Sequence, residues 1–164
     1  MILAHLLTIT LVSSFLYACS GSDSDNETNS SIGINPENEA AAVTAVTVNG
    51  NPGSYTFSVT VVSPDTGCNQ YADWWEVISA DGDLIYRRIL THSHVNEQPF
   101  TRSGGPVAIT ATDQVIVRAH MNSVGYGELA FTGNVEQGLV ADSIDSSLAE
   151  VLEIADPLPD GCAF

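Results

Sequence analysis

From Ala41 onward, apolar and polar residues alternate with a period of two, the pattern of strands with one face buried and one face wet. Residues 43–48 and 55–62 read as strands, separated by the turn-forming run Asn49-Gly50-Asn51-Pro52-Gly53. Residues 71–79 and 84–91 predict a hairpin closed at Asp81-Gly82, a pair suited to the positive φ angles of a two-residue type I′ turn. Spans 107–110, 114–121 and 128–132 bring the count to about seven short strands, and no helical period intervenes, so a parallel sheet with crossover helices is not expected. After Asn134 the period changes. Leu148, Val151, Leu152 and Ala155 fall at helical spacing, which predicts a short helix over 146–154 with Ser143 or Asp145 as N-cap and Pro157 and Pro159 as terminators.

Ahead of the alternating region the pattern is different. Ile2 to Tyr17 is apolar apart from His5 and a few hydroxyl residues, long enough for the core of an export signal and short for a spanning helix. Gly21 to Glu39 is rich in Ser, Asn, Asp and Glu with little to bury, and predicts a solvated tether. Asp23, Asp25 and Glu27 within it lack the glycine and distal glutamate of an EF-hand and read as linker charge. The junction Leu16-Tyr17-Ala18-Cys19-Ser20 resembles the lipobox of bacterial lipoprotein precursors, in which the cysteine is acylated and becomes the new N-terminus. The resemblance implies a lipid on Cys19, anchoring to a membrane and residence in the bacterial cell envelope; Ser20 implies sorting to the outer membrane or cell surface. An ordinary cleaved signal followed by an incidental cysteine is the alternative. With Cys19 lipidated, Cys68 and Cys162 remain, and two cysteines in an oxidising compartment are expected to pair; two unrelated buried thiols are the other possibility.

About seven short strands with the tryptophan pair Trp74-Trp75 on the third resemble an immunoglobulin or fibronectin type III β-sandwich. The expected organisation is a signal peptide over 1–18, a lipid anchor and tether over 19–40, an all-β sandwich over 41–134, and a C-terminal extension over 135–164 with a short helix and a disulfide-linked tail.

Charge narrows the range of partners. The 164-residue chain carries a formal charge of −16, which repels nucleic acid phosphates and leaves a cation, an envelope protein or a glycan as expected partners. It has no lysine, and its four basic side chains are Arg87, Arg88, Arg102 and Arg118, in the same central stretch as His92, His94 and His120. No phosphate-binding glycine loop, HExxH, GxSxG or CxxC motif is present, so the reading leans away from an enzyme.

Two sets of residues stand out once the strands are paired. If Asp81-Gly82 closes the hairpin, Glu76 faces Arg87 and Trp75 faces Arg88, while Tyr71, Asp73, His92 and His94 gather at the far end. An antiparallel sixth strand brings His120 and Met121 to that end as well. His92, His94 and His120 then form a candidate metal site, for copper with Met121 added and for zinc with Asp73 or Asp65. Trp74, Trp75, Tyr86, Arg87, Arg88 and Arg118 form a candidate binding face, with ordinary strand packing as the first reading of the same residues. The function expected is an envelope-tethered, non-catalytic binding or accessory module. Extracytoplasmic metal binding is the alternative, and an enzyme of unfamiliar type the more remote one.

Overall fold

The computed structural model describes residues 40–163; the signal segment, Cys19 and the tether lie outside the described residues. The strands are β1 (Ala42–Asn51), β2 (Ser54–Val62), β3 (Ala72–Ser79), β4 (Leu84–Ile89), β5 (Phe100–Val107), β6 (Val115–Met121), β7 (Gly125–Tyr126), β8 (Leu129–Asn134) and β9 (Gly138–Ser143). They form two antiparallel sheets, β1-β2-β5 and β4-β3-β6-β8-β9, with β7 pairing to β6. The third strand lying beside the fourth and sixth is the arrangement of the expected immunoglobulin-like sandwich.

Alternation along the strands builds the core. Tyr55, Phe57, Val59 and Val61 of β2 face Trp75 and Val77 of β3 and Val115, Val117, Ala119 and Met121 of β6. The valine, phenylalanine and methionine side chains among them each contribute about 1.5–3 kcal/mol on burial. Trp75 is therefore the core tryptophan, and Trp74 points to the opposite side of the same sheet. That outer side is also buried, because the segment after β9 covers it, which is why β3 is buried at every position but its last.

Several expectations are corrected. The β3–β4 turn is not a two-residue type I′ turn: Gly82 alone in the turn has a positive φ, Ser79 N–H donates to Asp83 O at 2.9 Å, and Ile78 pairs with Leu84. A register shift follows before Val77, so Glu76 faces Arg87 and Trp75 faces Arg88 as expected. The fifth strand spans Phe100–Val107 rather than 107–110. Gly104, Gly105 and Pro106 hid it from the alternation, yet as an edge strand it tolerates the proline. Gly104 has a packing reason: a Cβ there would meet Tyr86 Oη at 2.6 Å and Trp75 Cζ2 at 3.0 Å. The polar β9 adds a ninth strand within the segment expected to be a separate extension.

The C-terminal helix is a 3₁₀ turn, Glu150–Ile154, with no buried residue. Asp145 accepts the Ser147 N–H at 2.9 Å, but the residue that begins the turn is Ala149, in the left-handed region at φ 49°. Successive i→i−3 bonds, such as Leu152 N–H to Ala149 O at 3.0 Å, keep it tight. Past it, Cys162 is bonded to Cys68 across 94 residues of sequence. Closing a loop of that length stabilises the fold by about 3–5 kcal/mol in the chain-entropy account.

Candidate functional site

The outer side of the second sheet is organised by one carboxylate. Glu76 pairs across the sheet with Arg87 of β4 and Arg118 of β6, so both guanidinium groups reach it from neighbouring strands. Arg87 donates to Glu76 Oε2 from Nε at 2.8 Å and Nη2 at 2.6 Å, and Arg118 Nε donates to Oε1 at 2.9 Å. All three side chains are fully buried. The remaining guanidinium N–H groups hold the backbone of the C-terminal segment: Arg87 donates to Leu152 O and Ala155 O, both at 2.7 Å, and Arg118 to Leu148 O. Trp74 stacks under Arg87 at 4.3 Å and Tyr126 under Arg118 at 3.4 Å. The net positive charge of the trio is thus balanced by carbonyl dipoles and aromatic faces. Removing Glu76 would strand two buried positive charges, at a cost of at least about 3–5 kcal/mol.

The candidate binding face is consequently divided. Trp74, Trp75, Arg87 and Arg118 are buried within this chain, Tyr86 is half-buried against the core, and Arg88 is exposed. Four of the six present no surface to a partner.

His120 lies on the same outer side, one step from the arginines. A register shift between Ala72 and Trp74 turns Asp73 toward it, and its Nδ1 lies 2.6 Å from Asp73 Oδ1. The imidazole stacks on Trp74 at 3.7 Å with an interplanar angle of 5°, meets Tyr126 edge-on, and has its Nε2 3.6 Å from Glu153 Oε1. Met121, the next residue, points into the sandwich core, as strand alternation requires. Burial is the leading cause that raises the Tyr126 pKa, with the Glu76 charge adding to it.

His92 and His94 are placed otherwise, in the segment between β4 and β5. Their rings are 4.5 Å apart, and with Glu97 they form a trio whose ligand atoms all lie within 4.8 Å of one another. Neither His120 nor Asp73 belongs to it. His94 is buried, stacked on Phe100 at 3.7 Å, and neither of its ring nitrogens has a hydrogen-bond partner among the described residues. Its backbone N–H donates to Asp65 Oδ2 at 2.7 Å, while Asp65 Oδ1 accepts from Ala72 N–H at 3.0 Å. Burial lowers the His94 pKa, the nearby Arg102 and His92 charges lower it further, and Asp65 and Glu97 oppose them. Ala163 lies beside His92 in a short parallel bridge, so the disulfide-held tail borders a cavity of about 490 Å³ that His92, His94 and Glu97 also line.

The structure therefore joins His92 to His94, and Asp73 to His120, but does not merge the two pairs. Glu97 and Glu153 are not among the residues that the sequence reading singles out, whereas Asp65 is, as a possible zinc ligand beside Asp73. Glu97 was within reach of sequence reasoning, since it follows His94 by three residues in one loop. Asp65 holds the His94 and Ala72 backbone N–H groups, and Glu153 comes from a distant segment that carries no local signal.

No protein-family model matches the chain, and no solved structure matches it. The chain is similar, at 43% identity over 82 residues, to a protein of Halomicrobium mukohataei named "Putative lipoprotein". The match covers 50% of this chain and 40% of that protein, so the chain spans well under half the length of the curated relative it resembles.

Proposed function

We propose that this chain is an exported lipoprotein, acylated at Cys19, whose tether presents the sandwich at the cell surface as a non-catalytic binding or accessory module. The observation that carries the reading is the Leu16-Cys19 segment, a lipobox-like junction between an apolar leader and a polar tether. The name of the Halomicrobium mukohataei relative supports it, and so does the Cys68–Cys162 disulfide, which suits an oxidising compartment. A non-catalytic role is supported by the way the buried charges are used. Glu76, Arg87 and Arg118 have their hydrogen bonds taken by one another and by backbone carbonyls, an arrangement that fixes a chain segment and leaves no group aimed at a substrate. The acidic surface favours a cationic or neutral partner, and nucleic acid is disfavoured.

A single chain suffices for the test. Wild-type protein expressed in an envelope-bearing host should fractionate with membranes and carry a diacylglycerol group on Cys19, read by mass spectrometry of the N-terminal peptide. Cys19→Ser should be released in soluble form or remain unprocessed. Soluble wild-type protein with an unmodified N-terminal peptide overturns the proposal.

A further inference from the structure

We infer that His92, His94 and Glu97 form a binding site for a divalent transition ion of the zinc class, with a fourth position open to the cavity beside the C-terminal tail. This set differs from the three-histidine cluster that strand pairing suggested, and it does not depend on whether Cys19 is lipidated.

Three observations converge on it. The first is the donor set: two imidazoles and one carboxylate lie in a single loop with ligand atoms all within 4.8 Å of one another. Zinc takes nitrogen and oxygen ligands at about 2.0–2.2 Å and needs three protein ligands when a fourth position is left for water or another donor. The trio has to contract slightly to reach those distances. The residues that must move, His92 and Glu97, are both exposed, whereas His94 is fixed.

The second observation is the state of His94. It is 3% exposed, yet both of its ring nitrogens lack a hydrogen-bond partner among the described residues. Burying an imidazole and leaving both nitrogens unpaired is unfavourable unless one of them serves another purpose. The stack on Phe100 covers a face of the ring and not the edge that carries the nitrogens, and His94 is among the residues lining the cavity that His92 and Glu97 also line. Asp65 Oδ2 is 3.8 Å from His94 Nδ1, too long for a hydrogen bond but close enough to close on an Nδ1–H once Nε2 is engaged. A carboxylate behind a ligating histidine is the usual way to fix its tautomer and orientation.

The third is preorganisation of the loop. Glu97 N–H donates to His94 O at 3.0 Å, Gln98 Nε2 donates to the same carbonyl at 3.2 Å, and His94 N–H is held by Asp65. On the other side, Ala163 N–H donates to Thr91 O at 2.6 Å, which ties the first histidine to the disulfide-held tail. The backbone that carries the ligands is thus already in place.

Arg102 opposes the ion. Its guanidinium donates to Glu97 Oε2 at 2.7 Å and Oε1 at 3.2 Å. A carboxylate has lone pairs enough to serve both a guanidinium and a metal, but the positive charge weakens cation binding. This supplies a variant that should bind more tightly, an effect that general loss of structure would not produce.

The experiment uses the untagged full chain in detergent, stripped with chelator and titrated with zinc chloride by calorimetry and by thermal unfolding. One equivalent should bind, and the melting temperature should rise with zinc because only the folded state offers the site. Cobalt substitution should give the absorption of a four-coordinate site. His92→Ala and Glu97→Gln should each weaken binding by about tenfold or more, by analogy with the sensitivity of metal sites to their supporting groups. Both side chains are exposed, so the metal-free melting temperature should stay close to that of the wild type. Arg102→Gln should strengthen binding, and His120→Gln should leave it unchanged. Absence of heat and of any thermal shift with excess zinc overturns the inference, as does zinc binding that survives the His92→Ala/Glu97→Gln pair or depends on His120.

Discussion

Tyr126 shows how a single buried group couples this fold to pH. Its ring lies under Arg118, its hydroxyl is 3.4 Å from Arg87 Nη2, and burial together with Glu76 raises its pKa above the ordinary tyrosine value. In the unfolded chain the phenol loses its proton near pH 10, whereas the folded chain retains it. A raised folded pKa contributes stability that is fully present below about pH 10 and is lost as the pH climbs past it, because only the unfolded state then sheds the proton. Urea unfolding of the wild type should therefore show stability falling above about pH 10. Tyr126→Phe should flatten part of that decline, and phenolate absorbance should show Tyr126 ionising only with unfolding. Reversible ionisation of every tyrosine near pH 10 in the folded protein would sink the claim. Burial also raises the pKa of Tyr71, so the Tyr126 variant should remove only part of the slope.

At the scale of elements, the fold depends on two close approaches that differ in what stands in the way. A Cβ on Gly127 would run into the carbonyl oxygen of Ala41, backbone at the start of β1. A Cβ on Gly104 would meet chiefly the end of the half-buried Tyr86 side chain, which can turn aside, and would press less closely, at 3.0 Å, on the buried Trp75 ring. Gly127→Ala should therefore cost about 1–3 kcal/mol, in the range of overpacking, and Gly104→Ala less. Denaturant unfolding with an unchanged slope checks this, and the reverse ordering would show that the β1 edge yields more readily than the tyrosine. The same contrast explains what the sequence disclosed. Strands whose inward residues are large and alternating, β1 to β4, β6 and β8, were legible from period alone, and so was the pairing of Glu76 with Arg87. β5 was displaced because Gly104, Gly105 and Pro106 break the alternation, and β9 was missed because its outward Val140 and polar neighbours do not alternate. The helical spacing of Leu148 to Ala155 was real but did not decide the outcome. Arg87 and Arg118 take carbonyls of that segment from across the sheet, and the segment tightens to a 3₁₀ turn with Val151 and Ile154 in solvent. The candidate site follows the same logic. His92 and His94 were found together because they share a loop, whereas His120 was assigned to them because the register shift that turns Asp73 toward it leaves no trace in the sequence.

For the whole molecule the dominant fact is charge and where its few cations are placed. Of the four arginines, Arg87 and Arg118 are buried on Glu76 and do nothing to offset the acidic surface, and Arg102 is engaged with Glu97. Arg88 is left exposed on a chain of formal charge −16. Such a surface repels itself, and the compact state bears more of that repulsion than the expanded one. Added sodium chloride shortens the screening length from about 30 Å at 0.01 M to about 8 Å at 0.15 M and 3 Å at 1 M. The buried Glu76 cluster lies beyond the reach of that screening and should keep its strength, so the net effect of salt is stabilising. The melting temperature should rise by about 5 °C or more between low and molar salt, equivalent to roughly 1 kcal/mol for a domain of this size. Most of the rise should come below about 0.2 M, where the screening length changes most. A rise confined to molar concentrations would point to exclusion of salt from the protein surface instead, and a flat or falling profile would mean that surface repulsion is not what limits this fold.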